Sequence, residues 1–88
     1  MGYHVLLTYD VKRGKHQSIR EYFEDEEGWT YLELTTSFSI HWDDAHSRSS
    51  AMRLTRESIK RTMDECDSKI EAAFLVSSDG DLVQDIFS

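Results

Sequence analysis

The sequence has a single cysteine, Cys66, among its 88 residues. One cysteine excludes an internal disulfide and cannot supply the several thiolates of a cysteine-rich metal site. Such sparing use of cysteine favours a reducing compartment. The sequence also lacks an uninterrupted apolar run of the roughly 20 residues that a membrane-spanning helix needs. We therefore expect a cytoplasmic protein.

Positive charge is scarce as well. There are 10 Lys and Arg residues against 17 Asp and Glu residues, so the net charge is −7. Release of counterions rewards basic side chains that face phosphates, so an acidic chain is a poor general coat for nucleic acid. Any nucleic-acid role must come from a local basic patch.

What remains is an ordinary globular composition, with 39% hydrophobic and 31% charged residues. A chain of this size buries roughly 60 to 65% of the surface that its unfolded form exposes, which suffices for one two-layer core. No internal repeat, low-complexity segment or linker is visible. We expect residues 1–88 to form a single domain.

The stretch from Tyr3 to Asp10 is apolar, aromatic and β-branched. In a strand, Val5 and Leu7 would lie on one face and Leu6 on the other. A strand that is apolar on both faces belongs inside a sheet or under cover on both sides. Asp10 closes this strand before a polar turn.

Two amphipathic helices are predicted. The first runs from about His16 to Glu26 and ends before Gly28. After a polar loop, the second begins either near Ser50 or at Thr55, where the pattern fits an N-cap with a hydrophobic staple. Apolar side chains three and four apart define the core-facing stripe of each helix. These are Ile19, Tyr22 and Phe23 in the first helix, and Ile59, Met63 and Cys66 in the second.

Between the helices, residues 29–42 alternate between apolar and polar side chains, as in a strand. The apolar residues of one parity are Leu32, Leu34, Phe38, Ile40 and Trp42. One strand of this length would be unusually long against a typical ~5 to 6 residues. Two strands joined near Thr35-Thr36-Ser37 are the favoured interpretation. An apolar strand from Ile70 to Val76, a turn, and a short strand or tail from Leu82 to Phe87 complete the chain.

The order strand, helix, strand, strand, helix, strand predicts an α+β fold. We expect a ferredoxin-like split βαβ sandwich, with a four-stranded antiparallel sheet, two helices on one face and a short C-terminal strand or tail. The other face of the sheet would then carry Leu6 and Thr8 without cover. A face-to-face or edge-paired homodimer is therefore expected.

Several short segments, within the stretch from Tyr3 to Val76, resemble the small CRISPR-associated spacer-adaptation proteins and, more closely, their stand-alone SinR-like relatives. These segments are Thr8-Tyr9-Asp10, Gly28-Trp29, Leu32-Glu33-Leu34-Thr35-Thr36-Ser37-Phe38-Ser39-Ile40 and Leu54-Thr55. The resemblance implies a ferredoxin-like homodimer that associates with nucleic acid or with nucleic-acid-processing machinery. Some members of the family are metal-dependent nucleases, which makes Asp10 the catalytic residue and Mg²⁺ ligand near the dimer axis. An aspartate at a strand end also commonly accepts backbone N–H bonds.

Basic side chains supply candidate phosphate contacts, with Tyr3, Tyr9 or Trp29 available to stack on bases. The candidates are Lys12, Arg13, Lys15, Arg20, Arg53, Arg56 and Lys60. Ordinary solvated helix faces, paired with acidic neighbours, explain the same residues.

The histidines and the cysteine indicate no specific reactive site. The segment from His41 to His46 holds two imidazoles and two carboxylates, but its spacing suits no common zinc site, so surface histidines are favoured. Cys66 on a helix stripe is typical of an inert buried thiol.

Two functional hypotheses follow. The first is a dimeric module associated with nucleic acid or its processing machinery, with weak Mg²⁺-dependent nuclease activity at Asp10. The second is a non-enzymatic acidic interaction protein, acting as a regulator or as a nucleic-acid-mimicking inhibitor of a basic partner.

Overall fold

A computed structural model of the chain describes residues 2–32, 37–78 and 81–87. Seven elements follow one another along these residues. They are β1 (Tyr3–Arg13), α1 (His16–Asp25), β2 (Thr30–Leu32), β3 (Ser37–Trp42), α2 (Arg48–Glu65), β4 (Lys69–Ser78) and β5 (Asp81–Phe87). The strands form one sheet in the order β2-β3-β1-β4-β5, and every neighbouring pair is antiparallel.

The sheet confirms the α+β prediction and the central position of the opening strand. The strands β2, β3, β1 and β4 form the expected antiparallel sheet, and β1 lies between β3 and β4. The segment predicted as a short strand or tail is β5, a fifth strand at the edge beside β4, so the sheet has five strands. The predicted turn after β4 includes residues 79–80, which lie outside the described residues.

Residues 29–42 form two strands, because β2 pairs antiparallel with β3. The predicted parity is wrong for Leu32, which pairs with Ser37 rather than sharing a face with Phe38. Tyr31 is the residue opposite Phe38, and their ring centroids lie 5.2 Å apart. The two strands of a hairpin need not keep the same relation between odd or even positions and the faces of the sheet. The face on which a residue of β2 lies therefore cannot be inferred from the parity of residues in β3. The predicted junction at residues 35–36 lies outside the described residues.

One face of the sheet carries the core. In β1, Val5 and Leu7 are fully buried while Leu6 between them is 37% exposed. The helix α1 buries Ile19 and Phe23 against this face, as predicted, whereas Tyr22 is only partly buried. Aromatic contacts continue the core through β1 and β3. The ring of Phe23 lies 5.5 Å from that of Tyr9, 5.2 Å from that of Phe38 and 6.1 Å from that of Trp29.

The second helix begins at Arg48, close to the predicted Ser50 start. Its N-cap is Ser47, whose hydroxyl oxygen accepts a hydrogen bond from the backbone N–H of Ser50 at 3.1 Å. The alternative start at Thr55 is wrong. Thr55 is fully buried inside the helix and donates its hydroxyl hydrogen to the carbonyl oxygen of Ala51 at 2.9 Å.

The buried stripe of α2 differs from the predicted one. Ile59 is buried as expected, but Met63 and Cys66 are only partly buried, and Cys66 is the C-cap. The other buried positions hold small or hydroxyl-bearing side chains, namely Ala51, Thr55, Ser58 and Thr62. Small side chains let a helix lie close to the sheet, and each hydroxyl finds a hydrogen-bond partner.

Two glycines shape the ends of α1. Gly14, in the turn before the helix, has φ of +120°, and a Cβ there would lie 2.7 Å from the Cβ of Ser68. Gly28 has φ of +79° and follows the end of the helix. The reversal returns the backbone N–H of Trp29 to the carbonyl oxygen of Phe23 at 2.9 Å. Trp29 therefore enters the core, where only 3% of it is exposed.

Within the described part of the chain, neither helix has the length and apolar character needed to cross a bilayer.

Candidate functional site

Asp10 lies on the sheet face that the helices leave uncovered. It shares this face of β1 with His4, Leu6 and Thr8, all of which alternate with the buried residues. The strand continues to Arg13, so Asp10 does not close it as predicted. The register places Asp10 directly opposite Glu71 of β4.

The ammonium group of Lys12 joins the two carboxylates. Its Nζ lies 2.9 Å from Oδ2 of Asp10 and 3.7 Å from Oε2 of Glu71. The hydrogen bond and charge of Lys12 lower the pKa of Asp10, and the same contact raises the pKa of Lys12. Asp10 therefore stays ionised through the physiological pH range.

This arrangement does not fit a divalent metal within one protomer. Two carboxylates are a suitable ligand type for Mg²⁺, but the positive charge of Lys12 lies between them. Among the described residues, no three His, Cys, Asp or Glu side chains are grouped so as to hold a metal ion. The predicted Mg²⁺ at Asp10 thus requires a ligand from a second subunit.

Replacing Lys12 by glutamine should raise the pKa of Asp10 toward its ordinary value, because the neutral amide removes the favourable charge. An NMR titration of the Asp10 side-chain carboxyl measures this shift. Arg13→Gln is the matched control, since Arg13 contacts Asp67 at 3.8 Å rather than Asp10. An Asp10 titration that is the same in both variants would contradict the assignment.

The predicted nucleic-acid contacts do not form one surface. Lys12 lies on the uncovered face of the sheet, whereas Arg53, Arg56 and Lys60 belong to α2 on the opposite side. Lys15 and Lys60 are exposed. A single nucleic-acid molecule lying along one side of the protein would therefore not contact both Lys12 and the cations of α2 through its phosphates.

Most of these cations contact carboxylates of the chain itself. Arg20 lies 3.1 Å from Glu24, and Arg53 lies 2.9 Å from Glu57. The guanidinium of Arg56 lies 6.0 Å from the ring centroid of buried Phe74. Such contacts are expected of ordinary solvated helix faces whose basic residues pair with acidic neighbours.

The residues predicted to stack on bases differ in their burial. Trp29 is wrong as a stacking residue, because it is buried and donates its Nε1 hydrogen to Oγ of Ser58 at 2.9 Å. Tyr9 and Tyr3 are only partly buried. Burial raises the pKa of Tyr9 above its ordinary value.

A polar cleft of about 690 Å³ lies between α1 and the sheet, and the sequence reading missed it. The guanidinium of Arg20 lies over the ring of Tyr31, 3.9 Å from its centroid. Gln17 donates to Glu21 at 3.0 Å on the same wall. The lining residues are Tyr9, His16, Gln17, Arg20, Glu21, Glu24 and Tyr31. Arg20 is paired with Glu24, while Glu21, within the described ranges, accepts only from the neutral Gln17, so with His16 neutral the lining has a formal charge of −1.

The uncovered face carries two further clefts. One, of about 550 Å³, includes His4, Leu6, His41 and Leu75, and the other, of about 220 Å³, lies beside Leu6. The imidazole rings of His4 and His41 are 4.3 Å apart, and Nδ1 of His41 contacts a carboxylate oxygen of Asp43. The face thus combines an apolar middle with titratable groups near its ends.

A buried polar network links the two helices, and the sequence reading missed it too. The side chain of Glu27 is 7% exposed, and its carboxylate accepts hydrogen bonds from Nε and Nη2 of Arg61 at 2.7 to 3.1 Å. Burial alone would raise the pKa of Glu27, but hydrogen bonds from Arg61 and Ser58 lower it overall. Ser58 also accepts from Trp29, so the network reaches the core. It fixes the end of α1 against α2.

Cys66 is a free, partly buried thiol, and burial and the neighbouring Glu65 raise its pKa. A raised pKa makes the thiolate scarce, which agrees with the inert interpretation.

No protein-family model, no curated protein and no solved structure matches this chain.

Proposed function

We propose that this chain is a non-enzymatic interaction module that acts as a homodimer and binds a basic partner through its acidic surface. We further propose a ferredoxin-like fold for it, with a fifth strand added at one edge. The position of β3 between β1 and β2, the two strands that flank α1, supports that fold. The resemblance to the SinR-like relatives of CRISPR-associated proteins is part of the same proposal.

The observation that carries the proposal is the pairing of the scarce cations. Lys12, Arg13, Arg20, Arg53 and Arg61 each contact a carboxylate of the same chain. With a net charge of −7, what remains is a surplus of carboxylates. Such a surface attracts basic partners and repels phosphates.

The acidic surface is dense where the two helices meet. Tyr22 has its pKa raised by burial first, and then by the negative charges of Glu27, Glu65 and Glu26. Glu26 and Glu65 are exposed. A basic partner docked there would contact carboxylates from both helices.

A binding experiment tests this function. The purified chain is titrated, at two salt concentrations, into a fluorescent arginine-rich peptide and into labelled RNA and DNA. We expect salt-sensitive binding to the peptide and none to the nucleic acids. Glu26→Lys with Glu65→Lys should weaken peptide binding several-fold, whereas Asp44→Lys, in the exposed turn that precedes α2 and so at the opposite end of that helix from Glu65, should change it little. Tighter binding to RNA or DNA than to the peptide would overturn the proposal.

Nuclease activity at Asp10 is a second candidate, favoured by one observation. Asp10 and Glu71 lie opposite each other on adjacent strands, and both are exposed. A second subunit that brought its own Asp10 to this point would add the missing ligand. Incubation of labelled RNA and DNA with Mg²⁺ or EDTA, beside Asp10→Ala and the exposed control Asp25→Ala, tests it. Cleavage that needs both the metal and Asp10 would favour this candidate over the first.

A further inference from the structure

The polar cleft beside α1 is bounded by two tyrosine rings whose positions are fixed by the core. The ring of Tyr9 lies 5.5 Å from that of Phe23 and 5.6 Å from that of Phe38. The ring of Tyr31 lies 5.2 Å from that of Phe38. Polar side chains of α1 form the opposite wall, namely His16, Gln17, Arg20, Glu21 and Glu24. A cleft of about 690 Å³ with preformed aromatic walls has the size of a ligand site.

One part of this cleft already holds a cation of the chain itself. The guanidinium of Arg20 lies 3.9 Å from the centroid of the Tyr31 ring, and its Nε lies 3.1 Å from Oε1 of Glu24. An aromatic face and a carboxylate are the groups that attract a guanidinium most directly. The walls of the cleft therefore offer the surroundings that a cationic group prefers.

The rest of the cleft presents two hydrogen-bond acceptors without a cation. In the described parts of the chain, the carboxylate of Glu21 accepts only from the neutral amide of Gln17, at 3.0 Å. Over the same residues, no hydrogen bond involves the hydroxyl of half-buried Tyr9. Buried polar groups are normally hydrogen-bonded, so this hydroxyl lacks a partner that a ligand can supply. Burial, and after it the neighbouring Tyr31, raises the pKa of Tyr9, so the phenol stays neutral.

We propose that this part of the cleft binds an alkylammonium or guanidinium group, carried by a basic side chain of the partner. Its N–H groups donate to the carboxylate of Glu21 and to the hydroxyl oxygen of Tyr9. Its single positive charge neutralises the formal charge of −1 that the lining has when His16 is neutral. This inference rests on the basic partner of the proposed function and names the chemical group that the partner inserts.

The same chemistry discriminates against other ligands. A phosphate or carboxylate would meet its own sign of charge on Glu21. A quaternary ammonium group would be attracted by the charge and by the ring faces, but it has no N–H hydrogen to donate. The cleft should therefore prefer a cation with N–H groups to an equally charged one without them.

Space for the rest of the partner adjoins the cleft. A second cleft of about 450 Å³ shares Arg20, Glu24 and Tyr31 with the first and adds Asp25 and Thr30. It lies beside β2, an edge strand of the sheet. A backbone segment of a partner can follow such an edge while one of its side chains enters a pocket. The cation therefore belongs to a polypeptide, and a free small amine is a separate outcome of the test.

NMR titration of the isotope-labelled full chain at about pH 7.5, above the range in which histidine ordinarily titrates, tests the inference. The ligands are short glycine-serine peptides that carry one arginine, one lysine, one citrulline or one trimethyllysine. Citrulline keeps the shape of arginine without its charge, and trimethyllysine keeps the charge of lysine without its N–H groups. We expect saturable shifts of the amide signals of Tyr9, Glu21 and Tyr31 with the arginine and lysine peptides. The citrulline peptide should give none, and the trimethyllysine peptide should bind about fivefold more weakly than the lysine peptide.

Two substitutions remove the proposed contacts. Glu21→Gln and Tyr9→Phe should each weaken binding of the arginine peptide about fivefold, as expected for one lost hydrogen bond. Asp44→Asn and Tyr3→Phe are the matched controls and should change binding little, since neither residue lines the cleft. Circular dichroism verifies that each variant is folded.

Removal of Arg20 should strengthen binding. Arg20→Gln releases the carboxylate of Glu24 and one face of the Tyr31 ring. The formal charge of the lining becomes −2, and the affinity for the arginine peptide should rise about fivefold. Arg53→Gln is the control, because Arg53 pairs with Glu57 at the same spacing on α2. A rise of equal size in both variants would reflect net charge alone and would overturn the site.

The outcomes separate this inference from the proposed function. If the arginine-rich peptide binds but the cleft variants leave its affinity unchanged, the cleft assignment is overturned and the proposed function stands. Equal binding of the citrulline and arginine peptides would also overturn the assignment. Shifts at the same signals with free butylguanidinium, but with no peptide, would support the cation site and overturn its occupation by a protein partner.

Discussion

Replacing Phe23 by alanine should lower the free energy of unfolding by about 3–5 kcal/mol. The side chain is fully buried, and its ring contacts those of Tyr9, Trp29 and Phe38. Truncation removes buried apolar surface and leaves a cavity between α1 and the sheet, which is the costliest combination in a small core. Urea unfolding followed by circular dichroism measures the change. Because association stabilises folded proteins, all variants must be compared at one protein concentration.

Two further substitutions make the Phe23 result specific. Phe23→Leu keeps most of the volume, so it should cost much less than Phe23→Ala. Tyr22→Ala, at the neighbouring and only partly buried position, should also cost less. Equal losses for Phe23→Ala and Tyr22→Ala would mean that α1 turns a different face toward the sheet.

The position of Phe23 could be predicted from the sequence because the pattern is local. The spacing of Ile19 and Phe23 on one side of α1 is set by the helix period alone. The central position of β1 in the sheet could be predicted because the strand has apolar residues on both of its faces. On the uncovered face, however, Leu6 is 37% exposed. Composition and period therefore predict the elements and much of their order.

The packing of α2 could not be predicted in the same way. Its buried side includes Thr55, Ser58 and Thr62, which an apolarity pattern assigns to solvent. Thr55 and Thr62 donate their hydroxyl hydrogens to backbone carbonyl oxygens one turn earlier in α2, but the indole partners of Thr55 and Ser58 come only with the fold. Trp42 of β3 donates its Nε1 hydrogen to Thr55 at 3.0 Å, and Trp29 donates to Ser58. Such partners lie far apart in the sequence, and nothing local announces them.

The candidate site, too, could be predicted from the sequence only where its residues are close together along the chain. The sequence predicts that Asp10 is on the first strand and that Lys12 follows it, but Glu71 reaches them only through the pairing of β1 with β4. The polarity of the uncovered face likewise needs the register that brings His41 beside His4. The sequence left two interpretations open for the basic residues, phosphate contacts or pairing with acidic neighbours, and the ion pairs of Arg20 with Glu24 and of Arg53 with Glu57 favour the second.

The ion pair between Glu27 and Arg61 shows the largest gap between sequence and structure. Its two residues are 34 positions apart, so no local pattern in the sequence links them. In the fold, the carboxylate is nearly buried and the guanidinium is half exposed. Glu27→Ala should therefore lower the free energy of unfolding by about 2 kcal/mol, the typical cost of losing hydrogen bonds to a charged group.

The stability supplied by Glu27 should depend on pH in a defined direction. Burial opposes ionisation, but the hydrogen bonds from Arg61 and Ser58 prevail, so the pKa of Glu27 is lower in the folded chain than in the unfolded one. A lowered pKa contributes stability that is present above the unfolded value, about 4.3 for glutamate, and is lost as the pH falls through the folded value. The difference in stability between the wild type and Glu27→Gln should be fully developed near neutral pH and should shrink in acid below about pH 4.

Urea unfolding of the two proteins across this pH range measures that difference directly. Comparison with Glu26→Gln, an exposed neighbour, removes the general effect of one lost negative charge. A double-mutant cycle with Arg61→Gln should give a favourable coupling at neutral pH that fades in acid. If Glu27→Gln and Glu26→Gln lost the same small amount of stability at every pH, the carboxylate would be solvated in solution. The clamp between α1 and α2 would then have no structural basis.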